Sequence, residues 1–389
     1  MQKKGLIKIG IAAYSLLAMG AIGINSVLHD IAEHFHITDT EAALMASIPC
    51  MVTIVVTLFL GKVLEHISQK KVGIFGAVCF LAGGLLPLVI DNLIIIFICR
   101  AVLGIGIAIS QVFMATLVAE FFEEKERPPV QGLAQSAQTA GMIIMCLISG
   151  FLATISWRTC FWVHAIGALA LLAMIFCIPE RKPDKNKNKE AGPKAKLTKA
   201  SIGWFALMFF VFLILLTFAN NISFLLVEKG IGTAADTGIA LSIYAGGGLL
   251  TGLFYGKIDQ YIAAKKLPLS MFLFALMFLI VIFAKSLVVV YIGSFIGGIA
   301  LSLYFPQIIL FTNLSVDPVM IPVAISFLTC VQNLGQILCP YAVDFLVKIF
   351  APASKPQQTK FLIALIGFLI LTAVTLVYAV WRDKKDRTA

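Results

Sequence analysis

Twelve apolar runs, each long enough to cross a lipid bilayer, are the feature that most limits how this chain can fold. A transmembrane helix needs about 20 mostly apolar residues to cross ~30 Å of hydrocarbon. Only 13% of the residues are charged, against roughly 25% in soluble domains. The sequence therefore predicts an all-α integral membrane protein with twelve transmembrane helices, at residues 7–28, 42–61, 71–90, 93–119, 130–153, 159–178, 203–227, 237–257, 268–285, 287–312, 321–346 and 361–381.

The positions of lysine and arginine orient these spans. If both termini are cytoplasmic, 23 of the 30 basic residues lie on that side, six lie outside, including Lys360, and Arg100 lies within a span. Short cytoplasmic loops carry an excess of Lys and Arg, so we expect a multi-pass protein of the cell membrane with both termini in the cytoplasm. Topology also accounts for the net charge of +10 without a nucleic-acid partner.

A polar segment, PERKPDKNKNKEAGPKAKLTKA at 179–200, divides the spans six and six. It is rich in Lys, Asn, Pro and Gly and has no apolar face to bury, which is typical of a flexible linker. We expect an N-terminal six-helix bundle at 1–178, a cytoplasmic linker at 179–202 and a C-terminal six-helix bundle at 203–389.

The two halves repeat one another. VTLFLGKVLEHISQKK (56–71) is echoed by TGLFYGKIDQYIAAKK (251–266), SAQTAG (136–141) by CVQNLG (330–335), and IAIS (107–110) by IALS (299–302), at offsets of 195, 194 and 192 residues. Three echoes at nearly one period predict two pseudo-symmetric copies of one six-helix unit. Transporters built from parallel repeats bind their substrate near the midplane between the halves.

At this point the sequence resembles the major facilitator superfamily over essentially its whole length. Its loop GKVLEHISQKK (61–71) is similar to the family signature Gly-x-x-x-Asp-Arg-x-Gly-Arg-Lys-Lys, with His66 and Ser68 replacing an arginine and a glycine. RAVLGIG (100–106) resembles the family's Arg-x-x-x-Gly-x-Gly, and SWRTCF (156–161) the opening of its sixth span. The resemblance implies alternating access and a role in coupling for Arg100.

The signature loop and its echo are candidates for a conformational latch. Glu65 has two possible partners, a helix N-terminus or a cation at a neighbouring helix end, while the lysines have a simpler alternative role as topology signals. The predicted latch residues are Gly61, Glu65, Lys70, Lys71, Gly256 and Asp259.

Arg100 is the clearest charge inside a span, where a cation costs roughly 2.5–3.5 kcal/mol on insertion scales and faces a cavity or a partner. It has three possible roles: holding an anionic substrate group, promoting proton release from a nearby acid, or binding backbone carbonyls of the first or fifth span. We predict that Arg100 and Asp30 take part in coupling.

Neutral polar side chains on spans of both halves form a candidate substrate cavity, although such groups also join helices to one another. Gln138 and Gln332, related by the repeat, are the best pair. The predicted cavity residues are Tyr14, Asn25, Arg100, Gln111, Gln135, Gln138, Asn220, Asn221, Tyr244, Tyr304, Gln307, Gln332, Asn333 and Gln336.

The segment HDIAEHFH (29–36) has three interpretations: a solvated loop, a proton-responsive group at His29 or Asp30, or a metal site. The i to i+5 spacing of His29 and His34 is poor for ligation on a helix. The eight cysteines form no CxxC or Cys/His spacing. We predict no metal and no cofactor.

Taken together, these patterns predict a secondary active transporter of a small organic solute rather than an enzyme. We expect a monomer in contact with lipid, using alternating access and a proton gradient, with uptake of a polar or anionic solute favoured. The alternative is efflux of lipophilic compounds by proton antiport. The antiporter motif Gly-x-x-x-Gly-Pro-x-x-Gly-Gly is only partly matched by GMIIMCLISG (141–150), which lacks the central Gly-Pro. A membrane receptor without transport is a remote alternative, and no catalytic triad, HExxH or P-loop supports an enzyme.

Overall fold

The computed structural model describes residues 2–181, 198–262, 265–317, 321–350 and 356–388, and over these residues every regular element is a helix. The side chains of residues 2, 3, 115, 124, 128, 199, 253, 255–262, 322 and 382–388 are outside that description. The α-helices are α1 (Gln2–Ser15), α2 (Leu28–Phe35), α3 (Asp39–Leu64), α4 (Gln69–Leu85), α5 (Leu93–Phe121), α6 (Arg127–Ala153), α7 (Gly167–Phe176), α8 (Lys199–Lys229), α9 (Ala234–Ile262), α10 (Lys266–Phe283), α11 (Leu287–Leu314), α12 (Ile321–Phe350) and α13 (Pro356–Thr388).

Eleven segments of the described residues are long and apolar enough to cross a membrane. They run over Lys4–Phe35, Asp39–Leu64, Gln69–Leu88, Leu93–Phe121, Pro129–Ala153, Thr159–Phe176, Ala200–Lys229, Lys266–Phe283, Leu287–Leu314, Val323–Phe350 and Pro356–Trp381. The long helix α9 lies where the eighth span is predicted. The predicted all-α membrane fold is therefore confirmed, and the spans keep their sequence numbering below.

The chain folds as two compact units, Met1–Ala191 and Gly192–Ala389. In the first unit, spans 1 and 5, 2 and 4, 3 and 4, 3 and 6, and 1 and 6 pack together. In the second unit the corresponding pairs, 7 and 11, 8 and 10, 9 and 10, 9 and 12, and 7 and 12, pack together. Each unit thus has the same internal order of neighbours, as a duplicated six-helix module requires.

Side-chain caps set several helix starts. Thr38 accepts a hydrogen bond from the Glu41 backbone N–H while the Glu41 carboxylate accepts one from the Thr38 N–H, a capping box at the start of α3. Ser68 and Asn92 cap α4 and α5 through their side-chain oxygens. These polar residues therefore fix where one span ends and the next begins.

The first span is longer and less regular than predicted. It consists of α1, a 3-10 segment (Leu16–Val27) and α2, whereas the sequence predicts a span at 7–28. The favoured interpretation of residues 29–36 as a solvated loop is wrong for most of that segment, because α2 continues to Phe35. Leu28, Ile31 and Ala32 form its buried face, and this apolar face at helical spacing stabilises the extra turns.

Two glycines of the repeated sequence bring helices into close contact. A Cβ atom on Gly141 of span 5 would lie 2.9 Å from the Leu16 carbonyl oxygen of span 1. A Cβ atom on Gly335 of span 11 would lie 2.6 Å from the Phe209 carbonyl oxygen of span 7. The echo between SAQTAG and CVQNLG thus corresponds to the same helix contact in each unit.

Candidate functional site

Arg100 is fully buried eight residues into α5. Its Nε donates to the Met45 carbonyl oxygen at 2.9 Å and its Nη2 to the Ala21 carbonyl oxygen at 2.7 Å. Nη1 has no hydrogen-bond partner among the described residues. The guanidinium therefore binds carbonyls of the first and second spans, and not of the fifth, while one nitrogen is left to donate to a ligand.

Asp30, the other predicted coupling residue, is half-buried in α2 and lies beside His29, with 3.6 Å between Oδ1 and Nδ1. The Asp30 carboxyl and the Arg100 guanidinium both interact electrostatically with the buried Cys160 thiol of span 6. The two predicted coupling groups thus lie in one region of the first unit, around Cys160.

Backbone oxygens in the middle of span 1 are a second element of this site. Arg100 donates to the Ala21 carbonyl oxygen, and His164 Nε2 of span 6 lies 3.2 Å from the Gly20 carbonyl oxygen. Ser149 of span 5 donates to the Gly23 carbonyl oxygen and also lies against Ser26 Oγ, 2.6 Å away. Side chains that insert into the hydrogen-bond ladder of a helix distort it. These three neighbouring spans therefore account for the 3-10 geometry of residues 16–27.

The predicted cavity residues of the first unit differ in burial. Tyr14 is 1% exposed, and its hydroxyl donates to the Gly73 carbonyl oxygen at 2.9 Å, which joins span 1 to span 3. Asn25 and Gln138 are buried, Gln111 is half-buried and Gln135 is exposed. Tyr14 is therefore already bonded within the bundle, and Gln111 remains the accessible amide on the Arg100 helix.

The predicted cavity residues of the second unit lie mostly inside its bundle. Tyr304 donates to the Met208 sulfur at 3.3 Å, and the Tyr244 ring lies 5.6 Å from the Phe218 ring. The Gln307 Oε1 has no partner within the described residues. The buried members are Asn220, Asn221, Tyr244, Tyr304, Gln307 and Asn333, and the half-buried members are Gln332 and Gln336.

The predicted latch contacts the end of span 6 within the first unit. Lys70 Nζ donates to the Ile175 carbonyl oxygen at 2.6 Å. Ser68 Oγ donates to the Glu180 carboxylate at 3.2 Å, and Lys71 Nζ lies 3.7 Å from the same carboxylate. A lysine at a helix C-terminus interacts favourably with the last carbonyls.

The remaining predicted latch residues lie near the ends of α3 and α9. Glu65 is half-buried at the end of α3 and Gly61 is exposed. Gly256 and Asp259 belong to helical backbone in α9, but their side chains lie outside the described residues.

A charged and aromatic cluster joins the end of span 1 to the start of span 6. Asp91 accepts a hydrogen bond from His34 Nε2 at 3.0 Å and forms an ion pair with Arg158. The Arg158 guanidinium lies over the Trp157 ring at 5.2 Å. The hydrogen bond from His34 and the one from Arg158 lower the pKa of the Asp91 carboxyl. Over the described residues, no group of three or more metal-ligating side chains exists here or elsewhere.

Lys360 is the functional candidate that the sequence analysis missed. It is predicted to lie outside the membrane, but it belongs to the span Pro356–Trp381 and is 4% exposed. Its Nζ donates to the Asn221 Oδ1 of span 7 at 3.2 Å. A signal was present in the sequence, because TKFLIALIG (359–367) repeats TCFWVHAIG (159–167) at an offset of 200 residues and aligns Lys360 with Cys160.

The match to a family model decides the family. The model of the Major Facilitator Superfamily matches residues 10–234 and again residues 205–389. The chain belongs to the Major Facilitator Superfamily. The two matches cover the two repeated halves, and the predicted resemblance is confirmed. The chain therefore belongs to a family of multi-span membrane transporters rather than to a family of enzymes.

Curated relatives in the superfamily include transporters of different named functions. Multidrug resistance protein 1 of Bacillus subtilis is 26% identical over 65% of this chain and 65% of its own length. The sialic acid transporter NanX of Escherichia coli is 24% identical over 62% of this chain and 61% of its own length. The efflux pump apf11 of Gibberella fujikuroi is 28% identical over 43% of this chain and 30% of its own length. The chain thus matches less than two thirds of the length of each of these relatives.

Solved structures share the fold at low sequence identity. The nucleoside transporter NupG superposes with a TM-score of 0.77 at 14% identity, covering 95% of this chain and 99% of that one. A bacterial homologue of the human lysosomal transporter Spinster, inward-facing and unoccupied, superposes with a TM-score of 0.75 at 15% identity, covering 97% of each chain. These neighbours share the fold of this chain.

Proposed function

We propose that the protein is a proton-coupled secondary transporter that takes up a small polar or anionic organic solute by alternating access. We place it in the cell membrane, as a monomer with both termini in the cytoplasm and a linker at 179–202 between the bundles 1–178 and 203–389. The observation that supports an anionic group is Arg100, which is fully buried and has an Nη1 without a partner among the described residues. A buried cation inside a span is costly to retain unless it binds something.

The coupling part of the proposal rests on the surroundings of Arg100. Asp30 and Arg100 both act electrostatically on Cys160, so a proton taken up by Asp30 would change the field in which the guanidinium holds an anion. The half-buried position of Asp30 gives this carboxyl a path to water. Proton uptake and anion binding would then favour each other, which is the coupling that a symporter needs.

The latch part of the proposal rests on the contacts of the 61–71 loop. Lys70 binds the end of span 6, and Ser68 and Lys71 bind Glu180 at the start of the predicted linker. Contacts of this kind bias one arrangement of a transporter over another when they form in only one of them. We infer that Glu65, Lys70 and Lys71 stabilise one of the two alternating states.

Efflux of lipophilic compounds is the second candidate function. The observation that favours it is that two of the relatives are named as a multidrug resistance protein and an efflux pump. The incomplete antiporter motif at 141–150 disfavours it. The relative named as a sialic acid transporter supports a polar anion as the transported solute instead.

The test is a flux measurement in proteoliposomes. The purified protein is first screened by thermal shift against N-acetylneuraminate, uridine, dialanine and ethidium, and each compound that stabilises it is then offered under an inward proton gradient. We expect gradient-dependent uptake of an anion that is abolished in Arg100→Ala and partly retained in Arg100→Lys. Transport of ethidium alone, or anion uptake that is insensitive to both the gradient and Arg100→Ala, would refute the proposal.

A further inference from the structure

His164 is an ionisable side chain in span 6 of the first unit, and it is 0% exposed. Its Nδ1 lies 3.0 Å from the Phe161 carbonyl oxygen, and its Nε2 lies 3.2 Å from the Gly20 carbonyl oxygen of span 1. A neutral imidazole carries one N–H, whereas an imidazolium carries two. The neutral ring therefore donates to one of these carbonyls, and the other is already placed to accept the hydrogen that a bound proton would supply.

The His164 ring is enclosed by spans 1, 3 and 6. A Cβ atom on Gly84 of span 3 would lie 2.3 Å from the His164 Cβ, and one on Gly23 of span 1 would lie 3.9 Å from Nε2. The centroids of the Phe80 and Phe161 rings lie 5.6 and 6.1 Å from that of His164. The face of an aromatic ring attracts a cation within about 6 Å. These neighbours therefore exclude water and favour a positive charge on the ring.

Arg100 is the charged side chain that acts electrostatically on the His164 ring. Like charges disfavour each other, so a proton on His164 is opposed while the Arg100 charge is not offset by an anion. Of the segments packed against residues 159–166, those at 16–27, 86–88 and 167–176 have no ionisable side chain. The ionisable groups of the others are the thiols of Cys79, Cys146 and Cys160 and the basic residues in the first turns of α4 and α6, which are Lys70, Lys71 and Arg127.

An anion bound at Arg100 would remove this opposition. The Arg100 Nη1, which has no hydrogen-bond partner among the described residues, is where the proposed function places the anionic group. Once the anion offsets the guanidinium charge, the His164 ring can take up a proton and donate to both carbonyls. The enclosed ring then keeps that proton until spans 1, 3 and 6 move, so proton exchange is tied to the change of state.

We propose that His164 is a second proton-binding site of the transporter, filled together with the solute anion at Arg100. This inference rests on the proposed function and deepens it, because it adds a fully buried group to the half-buried Asp30. The lone pair of the unprotonated ring nitrogen accepts a proton from water on one side of the membrane, and the ring returns it to water on the other side. Hydrogen bonds from an imidazolium are charge-assisted and therefore stronger, so the proton strengthens the contact between spans 1 and 6.

The test follows the ring nitrogens of His164 by NMR in the purified full-length protein, labelled with 15N-histidine. The signals of His164 among the five histidines are those lost in His164→Gln. Arg100→Gln removes the guanidinium charge, which a bound anion would offset. We expect the midpoint of the His164 titration to lie about one pH unit or more higher in Arg100→Gln than in the wild type.

Arg127→Gln is the matched control. Arg127 also donates to two backbone carbonyls, those of Phe122 and Ala119, but it begins α6 and does not act on the ring. We expect its replacement to leave the midpoint unchanged. If Arg100→Gln does not fold, the wild type is titrated in sodium N-acetylneuraminate against sodium chloride at equal ionic strength, with the same rise expected. The proposal is overturned if the midpoint is equal in the compared samples, or if the ring stays neutral at every pH at which the protein is folded.

Flux in proteoliposomes separates this site from the proposed function. His164→Gln keeps an N–H donor for the Gly20 carbonyl but binds no proton, so we expect solute exchange without stimulation by the proton gradient. His36→Asn is the control, because His36 is exposed and asparagine tolerates its positive φ of 53°, and it should keep that stimulation. Gradient-stimulated uptake by His164→Gln would refute this site alone. A titrating His164 without solute flux in the wild type would refute only the proposed transport.

Discussion

Replacing Gly335 by alanine tests the helix contact on which each unit is built. The added Cβ would lie 2.6 Å from the Phe209 carbonyl oxygen and 3.0 Å from the Leu213 nitrogen. Ordinary contacts begin near 3.4 Å, so spans 7 and 11 must separate by about 0.8 Å. Both opposing atoms are backbone atoms and cannot rotate away, unlike the end of a flexible side chain.

The expected magnitude follows from two opposing effects. Overpacking a tight contact costs about 1–3 kcal/mol, whereas replacing glycine by alanine in a helix gains up to about 1 kcal/mol. We expect Gly335→Ala to lower the free energy of unfolding by about 1–2 kcal/mol. Gly141→Ala, with a shortfall of about 0.5 Å at the Leu16 carbonyl, should be milder.

Gly132 supplies the control, because a Cβ there would meet nothing within 4 Å. The assay is the melting temperature of each purified variant in one detergent, followed by intrinsic tryptophan fluorescence. We expect the order Gly132→Ala, wild type, Gly141→Ala, Gly335→Ala from most to least stable. If Gly335→Ala melts with or above Gly132→Ala, spans 7 and 11 do not pack as closely as described.

Three further predictions concern charged groups. Asp91→Asn should lower the melting temperature at pH 7, because it weakens the bonds from His34 and Arg158. Those bonds lower the pKa of Asp91. The contribution of Asp91 to stability is therefore fully present above the ordinary pKa of a carboxyl and is lost as the pH falls through the lowered pKa. Equal melting temperatures of variant and wild type at pH 7 would contradict this. Lys229→Met should destabilise the second unit by about 1.5–3 kcal/mol, because Nζ donates to three carbonyls at the end of α10, with the Lys→Arg variant as the control in the same denaturation assay. Glu65→Gln should slow the initial rate of transport in proteoliposomes without weakening substrate binding, and an unchanged rate would argue against the latch.

The fold follows from the sequence because hydropathy and repetition act over long stretches. Twenty apolar residues define a span whatever its neighbours do, and echoes such as Gly141 and Gly335 report a packing contact that both units need. The distribution of basic residues between the two sides of the membrane and the composition of the linker are also properties of whole segments. None of these signals requires knowledge of which side chains are in contact in the folded protein.

The details of the site could not be predicted from the sequence, because they depend on contacts between residues that are far apart in the chain. The 3-10 segment of span 1 accepts hydrogen bonds from side chains of spans 4, 5 and 6. The sequence of residues 16–27 alone does not indicate these donors. The burial of Lys360 depends on where span 12 begins relative to Asn221, and hydropathy leaves that boundary uncertain by a few residues. The sequence identifies Arg100 as an intramembrane charge, but it does not indicate that the second span supplies a partner, the Met45 carbonyl oxygen.

The middle of span 1 is held in place by hydrogen bonds to its backbone carbonyl oxygens. Arg100, Ser149 and His164 all reach peptide oxygens, at Ala21, Gly23 and Gly20, and every amino acid supplies the same oxygen at those places. These three bonds therefore do not depend on the side chain at Ala21, whereas Gly20 cannot be enlarged, because a Cβ there would lie 2.3 Å from the Phe80 ring. Laboratory selection for a new solute would have its widest freedom on this stretch at the half-buried Ala21 and Ile22, whereas the donors on spans 4, 5 and 6 would tolerate little.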